Sequence, residues 1–124
     1  MADDQDLLRR WVAAINAHDV STIASLMAPD FVFVDSLGNE VVGATKMTSG
    51  WQGYFAMCPD YRIRVRDVAP MADAMLLAGE AGGTIDGTSW RIPAAWKIVI
   101  RDSRVLEFRV FADNKPVYDI LARR

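Results

Sequence analysis

Asp35 is the residue of this chain that is best placed for chemistry. It closes the apolar run Phe31-Val32-Phe33-Val34, which predicts a strand that carries a carboxylate into an apolar, aromatic-rich interior. A carboxylate in such surroundings either receives hydrogen bonds or keeps its proton, so the environment decides how readily it accepts one. Asp35 is therefore our candidate for a general base, provided that it reaches a bound C–H group or a water molecule.

The segment that follows Asp35 supports a second interpretation. Asp35-Ser36-Leu37-Gly38-Asn39 has the composition of a loop, and an aspartate at the start of such a loop commonly accepts hydrogen bonds from the backbone just after it. The two interpretations are a catalytic base and a turn residue that also lines a pocket. Both stay open on the sequence alone.

Large aromatic side chains are the candidate ligand contacts. Trp11 and Trp96 can each donate an indole N–H to a ligand carbonyl or oxyanion, although aromatic residues at such spacing more commonly pack in a core. Tyr54 lies on the same predicted helical stripe as Trp51. Its hydroxyl is therefore a candidate polar contact in an apolar pocket.

The remaining reactive side chains are better explained by structural roles. His18 lies beside Asp19, where the first helix should end, and a turn role is favoured for it. Cys58 precedes Pro59 and has no neighbouring base in the sequence that would make it nucleophilic. The sequence contains no cluster of metal ligands and no glycine-rich phosphate loop, so we expect neither a metal nor a cofactor.

Three helices should position these residues. Apolar residues at helical spacing predict a first helix from about residue 4 to residue 17 and a second that begins after Asp19 and ends at Pro29. A third helix runs from Gly43 to Pro59. Its two internal glycines each cost about 1 kcal/mol relative to alanine, so we expect tertiary contacts to hold it and expect it to be the most mobile wall of a pocket.

Alternating patterns predict a sheet in the second half of the chain. Strands are expected at residues 61–66, 74–85, 90–100 and 105–112, followed by a short helix at residues 117–122. Trp96 and Phe108 belong to the apolar stripes of the last two strands. For both stripes to face the same side, the loop at Asp102-Ser103 should have three or five residues rather than two.

The reverse face of these two strands mixes apolar and charged residues, including Phe111 and Arg109. Arg109 and Asp113 have the opposite parity to Phe108, so they should face away from the pocket. A half-apolar, half-charged outer face is typical of a surface that a second copy covers. We therefore expect a homodimer.

Composition excludes several classes of partner. Fourteen Lys and Arg residues against sixteen Asp and Glu give a net charge of -2, which does not favour a nucleic acid or an anionic membrane surface. The single cysteine cannot form an internal disulfide, and the first residues do not resemble a signal peptide. A cytoplasmic location is the default expectation.

The order of elements and several motifs resemble those of the nuclear transport factor 2-like superfamily. The motifs are Ala17-His18-Asp19, Met27-Ala28-Pro29-Asp30-Phe31, Val34-Asp35-Ser36-Leu37-Gly38, and Trp51 with Pro59-Asp60-Tyr61. Within that superfamily the chain is similar to the SnoaL-like and ketosteroid isomerase-like small proteins. The resemblance implies one domain over residues 1–124, with an α+β cone-shaped fold in which a curved antiparallel sheet wraps around N-terminal helices and encloses a pocket.

The resemblance also bears on function. Asp35 matches the position of the general-base aspartate of ketosteroid isomerase, whereas Trp11 and Trp96 stand where that enzyme has its two oxyanion donors, so those matches fail in residue type. The fold hosts enzymes and non-catalytic proteins alike.

We therefore expect a hydrophobic pocket that binds a small hydrophobic molecule. The expected lining is Trp11, Phe33, Trp51, Tyr54, Phe55, Trp96, Phe108 and Val110, with Asp35 as its polar point. One hypothesis is an isomerase or lyase, related to ketosteroid isomerase or to SnoaL-like cyclases, in which Asp35 moves a proton of a carbonyl compound. The alternative is a non-catalytic dimer that binds ligands or proteins.

Overall fold

The computed structural model describes residues 2–124, and the order of its elements confirms the predicted α+β class. The first half comprises α1 (Ala2–Asn16), α2 (Val20–Leu26), β1 (Met27–Val34), β2 (Glu40–Val42) and α3 (Ala44–Met57). The second half comprises β3 (Arg62–Pro70), β4 (Met75–Ile85), β5 (Thr88–Arg101), β6 (Arg104–Ala112) and α4 (Lys115–Ala122).

The six strands form one sheet in the order β2-β1-β6-β5-β4-β3. Strand β1 is antiparallel to β2 but parallel to β6, and the other neighbours are antiparallel. The sheet is therefore mixed, because the predicted antiparallel sheet contains one parallel junction. Alternation along a strand shows which face is buried but gives no information on the direction of its partner.

The junction of β5 and β6 corrects the predicted loop length. Trp96 pairs with Val110 and Ile98 with Phe108, so both apolar stripes do share a face. The loop nevertheless has only two residues, Asp102 and Ser103, with φ of 53° and 61°. A change of register between Val99 and Ile100 reconciles the two facts, because a β-bulge inserts one extra residue, Leu106, in β6. Val105 has the same parity as the outer-face residues Phe111 and Arg109, but the bulge turns it inward, where it is fully buried.

The core lies between the helices and the inner face of the sheet. Helix α1 buries Trp11 and Ile15 completely or nearly so, and α3 buries Met47, Trp51 and Phe55. Strands β3 to β6 supply the opposite wall with residues such as Leu77, Trp96, Ile98, Val105 and Phe108. The apolar stripe that predicts each of these helices is therefore the face that packs against the sheet.

Polar side chains connect the end of α1 to the start of β3. The Asn16 amide donates to the Ile63 carbonyl at 3.0 Å and accepts from the Ile63 N–H at 2.8 Å. His18 lies in the turn after α1 with φ of 55°, as its turn role requires. Its Nε2 donates to the Tyr61 carbonyl at 2.7 Å, and its ring stacks on Phe55 at 4.1 Å. These contacts hold Tyr61 at the edge of the interior.

Candidate functional site

A cavity of about 300 Å³ lies between α3, α4 and the inner face of the sheet. This volume is at the lower end of the range for small-molecule sites. Strands β4, β5 and β6 form one wall with Ala81, Trp90, Ile92, Ala94, Trp96, Phe108, Val110 and Ala112. The opposite side is formed by α3 and α4 with Met47, Gly50, Trp51, Tyr54, Met57, Val117, Tyr118 and Leu121.

Seven of the nine residues predicted for the site line this cavity. They are Phe33, Asp35, Trp51, Tyr54, Trp96, Phe108 and Val110. They come from β1, the turn after it, α3, β5 and β6, so the fold does bring together residues that are distant in sequence. Trp96, Phe108 and Val110 were predicted from the period of two in the strands, and Trp51 and Tyr54 from the helical stripe of α3. Phe33 and Asp35 were predicted from the apolar run that Asp35 closes.

Trp11 and Phe55 do not line the cavity, which corrects two of the predicted contacts. Trp11 is fully buried beneath it, with its ring 6.1 Å from that of Trp51 and 5.5 Å from that of Phe108. Phe55 points instead toward the turn after α1, where it stacks on His18. Both residues lie on the inward faces of their helices. Periodicity shows which face of a helix is buried, but it does not show whether a residue on that face reaches the cavity.

The contribution of α4 and of Tyr61, which precedes β3, was not predicted from the sequence. Val117, Tyr118 and Leu121 of α4 line the cavity, as do Tyr61 and Trp90. The available signal for α4 was its own amphipathic pattern, in which Val117 and Ile120 are buried. The position of a short terminal helix over the sheet depends on tertiary contacts that the pattern does not specify.

The Asp35 carboxylate is bound by its own turn. Oδ1 accepts from the backbone N–H groups of Leu37 and Asn39, both at 2.9 Å, and Oδ2 accepts from the Asn39 side-chain amide at 3.2 Å. The Asp35 N–H also donates to the Asn39 carbonyl at 2.9 Å. A carboxylate has about four acceptor positions, so three are occupied. The turn interpretation of Asp35 is confirmed, and the half-buried residue also borders the cavity.

A second set of polar contacts begins at Ser36, the residue after Asp35, at this end of the cavity. Ser36 accepts a hydrogen bond from the Asn114 amide at 2.9 Å, and its hydroxyl lies 3.4 Å from the Tyr118 hydroxyl. These contacts connect the turn after β1 to the beginning of α4. The polar groups at the Asp35 end are therefore largely bonded to one another.

Two tyrosines form a different polar region of the same cavity. The rings of Tyr54 and Tyr61 are in edge-to-face contact with centroids 4.8 Å apart, and the Tyr61 ring also stacks on Trp90 at 6.1 Å. Burial raises the pKa of both phenols well above the usual tyrosine value. Both hydroxyls therefore keep their protons at neutral pH.

Cys58 has the structural role that its sequence context predicts. Its side chain is fully buried, and its thiol donates to Asp60 Oδ1 at 3.7 Å. Burial raises the pKa of the Cys58 thiol, which disfavours the nucleophilic thiolate. Asp60 in turn accepts from the Thr84 N–H at 2.7 Å and from its hydroxyl at 2.8 Å.

Residues 2–124, the part of the chain that the structure describes, contain neither a metal-ligand cluster nor a membrane-spanning helix. No three His, Cys, Asp or Glu side chains in this range lie close enough together to hold a metal ion. Nor is any helix in this range both long and apolar enough to cross a membrane.

Comparison with known proteins identifies the family. The model of the SnoaL-like domain matches residues 8–108 of the chain. The chain belongs to the SnoaL-like domain family. This SnoaL-like domain is thus a member of the nuclear transport factor 2-like superfamily, as the sequence motifs indicate. A search of curated protein sequences found no match.

Solved structures show the same fold at low sequence identity. A protein from Jannaschia sp. CCS1, assigned as a SnoaL-like polyketide cyclase, superposes with a TM-score of 0.86 at 16% identity, covering 99% of this chain and 94% of that one. TerC, co-crystallised with polyporic acid, has a TM-score of 0.83 at 16% identity and coverages of 97% and 98%. A ketosteroid isomerase-like protein from Catenulispora acidiphila, in complex with trimethylamine, has a TM-score of 0.77 at 19% identity and coverages of 85% and 83%.

Proposed function

We propose that this SnoaL-like domain binds a small hydrophobic molecule in the cavity. The observation that carries the proposal is the cavity itself, whose wall consists mainly of aromatic and aliphatic side chains with a few polar groups. This combination is typical of small-molecule sites, in which apolar area provides affinity and isolated polar groups orient the ligand. Trp51, Trp90 and Trp96 are among the aromatic residues that line it.

The ligands of structural neighbours support a small molecule. TerC was crystallised with polyporic acid and the Catenulispora protein with trimethylamine. These two molecules differ in size and charge, so they favour a small organic ligand without specifying its chemistry. The chemistry of this site must come from its own side chains.

Filling the cavity tests binding directly. Ala94 is 8% exposed, lies on β5 and lines the cavity, so Ala94→Trp should occupy the space that a ligand needs. We expect quenching of tryptophan fluorescence by a hydrophobic probe such as 9-fluorenone in the wild type and its loss in Ala94→Trp. Ala69→Trp is the matched control, because Ala69 is exposed on β3 and does not line the cavity. Equal binding by all three proteins would refute the proposal.

A second candidate function is proton transfer by Asp35. In this reaction Asp35 removes a proton from the carbon next to a ligand carbonyl and returns it, an isomerase or lyase type of step. Asp35 borders the cavity and has one acceptor position without a partner in residues 2–124. The turn that binds the other three positions would hold the carboxylate in a fixed orientation, as a general base requires.

Hydrogen–deuterium exchange separates catalysis from binding. The exchange of the protons next to the carbonyl of 2-tetralone in deuterium oxide can be followed by proton NMR. Catalysis by Asp35 predicts faster exchange with wild-type protein and a decrease of about 100-fold or more in the catalysed rate with Asp35→Asn. Binding without any acceleration of exchange would leave the protein as a ligand-binding domain only.

We also propose that two copies associate through the outer face of the sheet. Phe111 is 48% exposed there. Glu107 Oε2 forms ion pairs with Lys97 at 3.7 Å and with Arg109 Nε at 3.6 Å, but neither Glu107 Oε2 nor Arg109 Nε has a partner at hydrogen-bond distance in residues 2–124. A second copy could supply those partners and cover Phe111. Light scattering should give the mass of a dimer for the wild type and of a monomer for Phe111→Glu; a monomeric wild type would refute the dimer.

A further inference from the structure

Asp35 is the only charged residue among the described residues that line the cavity. Its three hydrogen bonds come from neutral N–H donors of its own turn, so they hold the carboxylate without neutralising its charge. None of the ion pairs formed within residues 2–124 involves Asp35. The carboxylate therefore borders the cavity as a negative charge that this part of the chain does not compensate.

The charged residues beside this end of the cavity do not supply a countercharge. Lys115 follows Asn114, which lines the cavity, but Lys115 Nζ is bonded to Asp119 Oδ2 at 2.8 Å. Glu40 begins β2 alongside the end of β1 and is exposed, so it adds a second negative charge near Asp35. The balance of charge at this end of the cavity is therefore negative.

Aromatic rings form part of the wall next to Asp35. Phe33 precedes Asp35 by two residues and lines the cavity with it, and the Phe33 ring lies 6.3 Å from the Trp51 ring in an edge-to-face arrangement. The face of an aromatic ring carries partial negative charge and attracts a cation within about 6 Å. The carboxylate and the rings therefore favour the same sign of charge in a ligand.

This combination separates ligand classes by charge. A ligand carboxylate would be repelled by Asp35 and would meet no cationic side chain among the described residues that line the cavity. A neutral ligand would remove water from the carboxylate without supplying a countercharge. A ligand ammonium group replaces that water with an ion pair, and opposite charges attract more strongly where solvent is partly excluded than in bulk water. The charge of the site thus favours an organic cation.

We propose that the cavity binds an organic ammonium ion, with its charged group between the Asp35 carboxylate and the rings of Phe33 and Trp51. The apolar body of the ligand then lies along the wall that the sheet forms. This inference rests on the proposed binding function and names the ligand class of the same cavity. It does not depend on proton transfer by Asp35, because an ion pair uses the charge of the carboxylate and not its basicity. Asp35 and Phe33 are then residues that determine specificity.

Two probes of the same shape but different charge test the proposal. Phenyltrimethylammonium and tert-butylbenzene differ only in their quaternary atom, nitrogen or carbon, and quenching of tryptophan fluorescence measures the affinity of each. The affinity for the ammonium probe relative to the hydrocarbon should fall roughly tenfold with Asp35→Asn and about two- to fivefold with Phe33→Leu. Asp35→Asn should bind tert-butylbenzene as the wild type does, which shows that its cavity is intact. Glu40→Gln is the matched control, because Glu40 is an exposed carboxylate that does not line the cavity; it should change the ratio less than about twofold.

Proton NMR gives a readout that a purely structural role of Asp35 would not change. The N-methyl protons of bound phenyltrimethylammonium should show nuclear Overhauser effects to the rings of Phe33 and Trp51 in the wild type, and contacts with other residues only would overturn this placement. An unchanged affinity ratio in Asp35→Asn, or a wild type that binds 9-fluorenone but not the ammonium probe, would overturn the inference while leaving the proposed function intact. A wild type that binds none of the three probes would overturn the proposed function and this inference with it.

Discussion

The two polar regions of the cavity differ in how completely their groups are bonded. The Asp35 carboxylate receives three hydrogen bonds from its own turn, and Ser36 bonds Asn114. The hydroxyls of Tyr54 and Tyr61 have no such partners in the described chain. Groups that bond each other stabilise the fold, whereas hydroxyls without a protein partner remain available to water or to a ligand. This difference predicts separate effects of mutation on stability and on binding.

The largest expected difference appears at high pH. Burial raises the pKa of Tyr54 and Tyr61 above the unfolded value of 10.0. As the pH rises past about 10, the unfolded chain loses phenol protons that the folded protein keeps, so stability falls by about 1.4 kcal/mol per pH unit for each tyrosine. Below that pH the contribution of the two phenols to stability is fully present. Urea unfolding at several pH values measures this slope.

The variant Tyr54→Phe/Tyr61→Phe isolates the contribution of these phenols from other alkaline effects. Its stability should decrease less steeply above pH 10 than that of the wild type, by about 2.7 kcal/mol per pH unit at most. Cys58, whose pKa is also raised, is unchanged in the variant and cancels in the comparison. Parallel slopes for the two proteins would show that the phenols are not shielded from water.

Removing the Asp35 carboxylate should give the next largest effect. Asp35→Ala deletes the acceptor of three hydrogen bonds and should lower the free energy of unfolding by about 1–3 kcal/mol at neutral pH. Asp35→Asn retains a carbonyl oxygen that can accept from Leu37 and Asn39, so it should lose less. Urea denaturation compares the three proteins. Equal stability of Asp35→Ala and wild type would mean that the turn does not depend on the carboxylate.

The tyrosine hydroxyls should contribute little to stability at neutral pH. Tyr54→Phe and Tyr61→Phe each remove a hydroxyl that has no protein acceptor, so each should change the free energy of unfolding by no more than about 0.5 kcal/mol. The same urea experiments at pH 7 measure this. A loss above about 1.5 kcal/mol would reveal a hydrogen bond to the missing oxygen and would remove the contrast with Asp35.

Much of the fold was accessible from sequence because it depends on local periodicity. The alternation in β5 and β6 correctly placed Trp96, Phe108 and Val110 on one face. The bulge at Leu106 and the parallel pairing of β1 with β6 were not predictable in this way. Both depend on contacts between distant segments, and a two-residue turn followed by a bulge satisfies the same parity as a longer loop.

The candidate site was predicted less completely for a related reason. Periodicity identified Trp51 and Tyr54 as inward-facing, but it could not distinguish Trp11, which lies beneath the cavity, from Trp90, which lines it. For Asp35, the loop composition indicated the turn that the structure shows. Whether the same carboxylate also accepts a substrate proton depends on a ligand and is a matter for the exchange experiment.

A crystal structure with bound 9-fluorenone would test the ligand site most directly. It should show the probe in the cavity between α3 and the inner face of the sheet, in contact with Trp51, Trp90 and Trp96. A probe bound only outside the cavity would contradict the proposed ligand site.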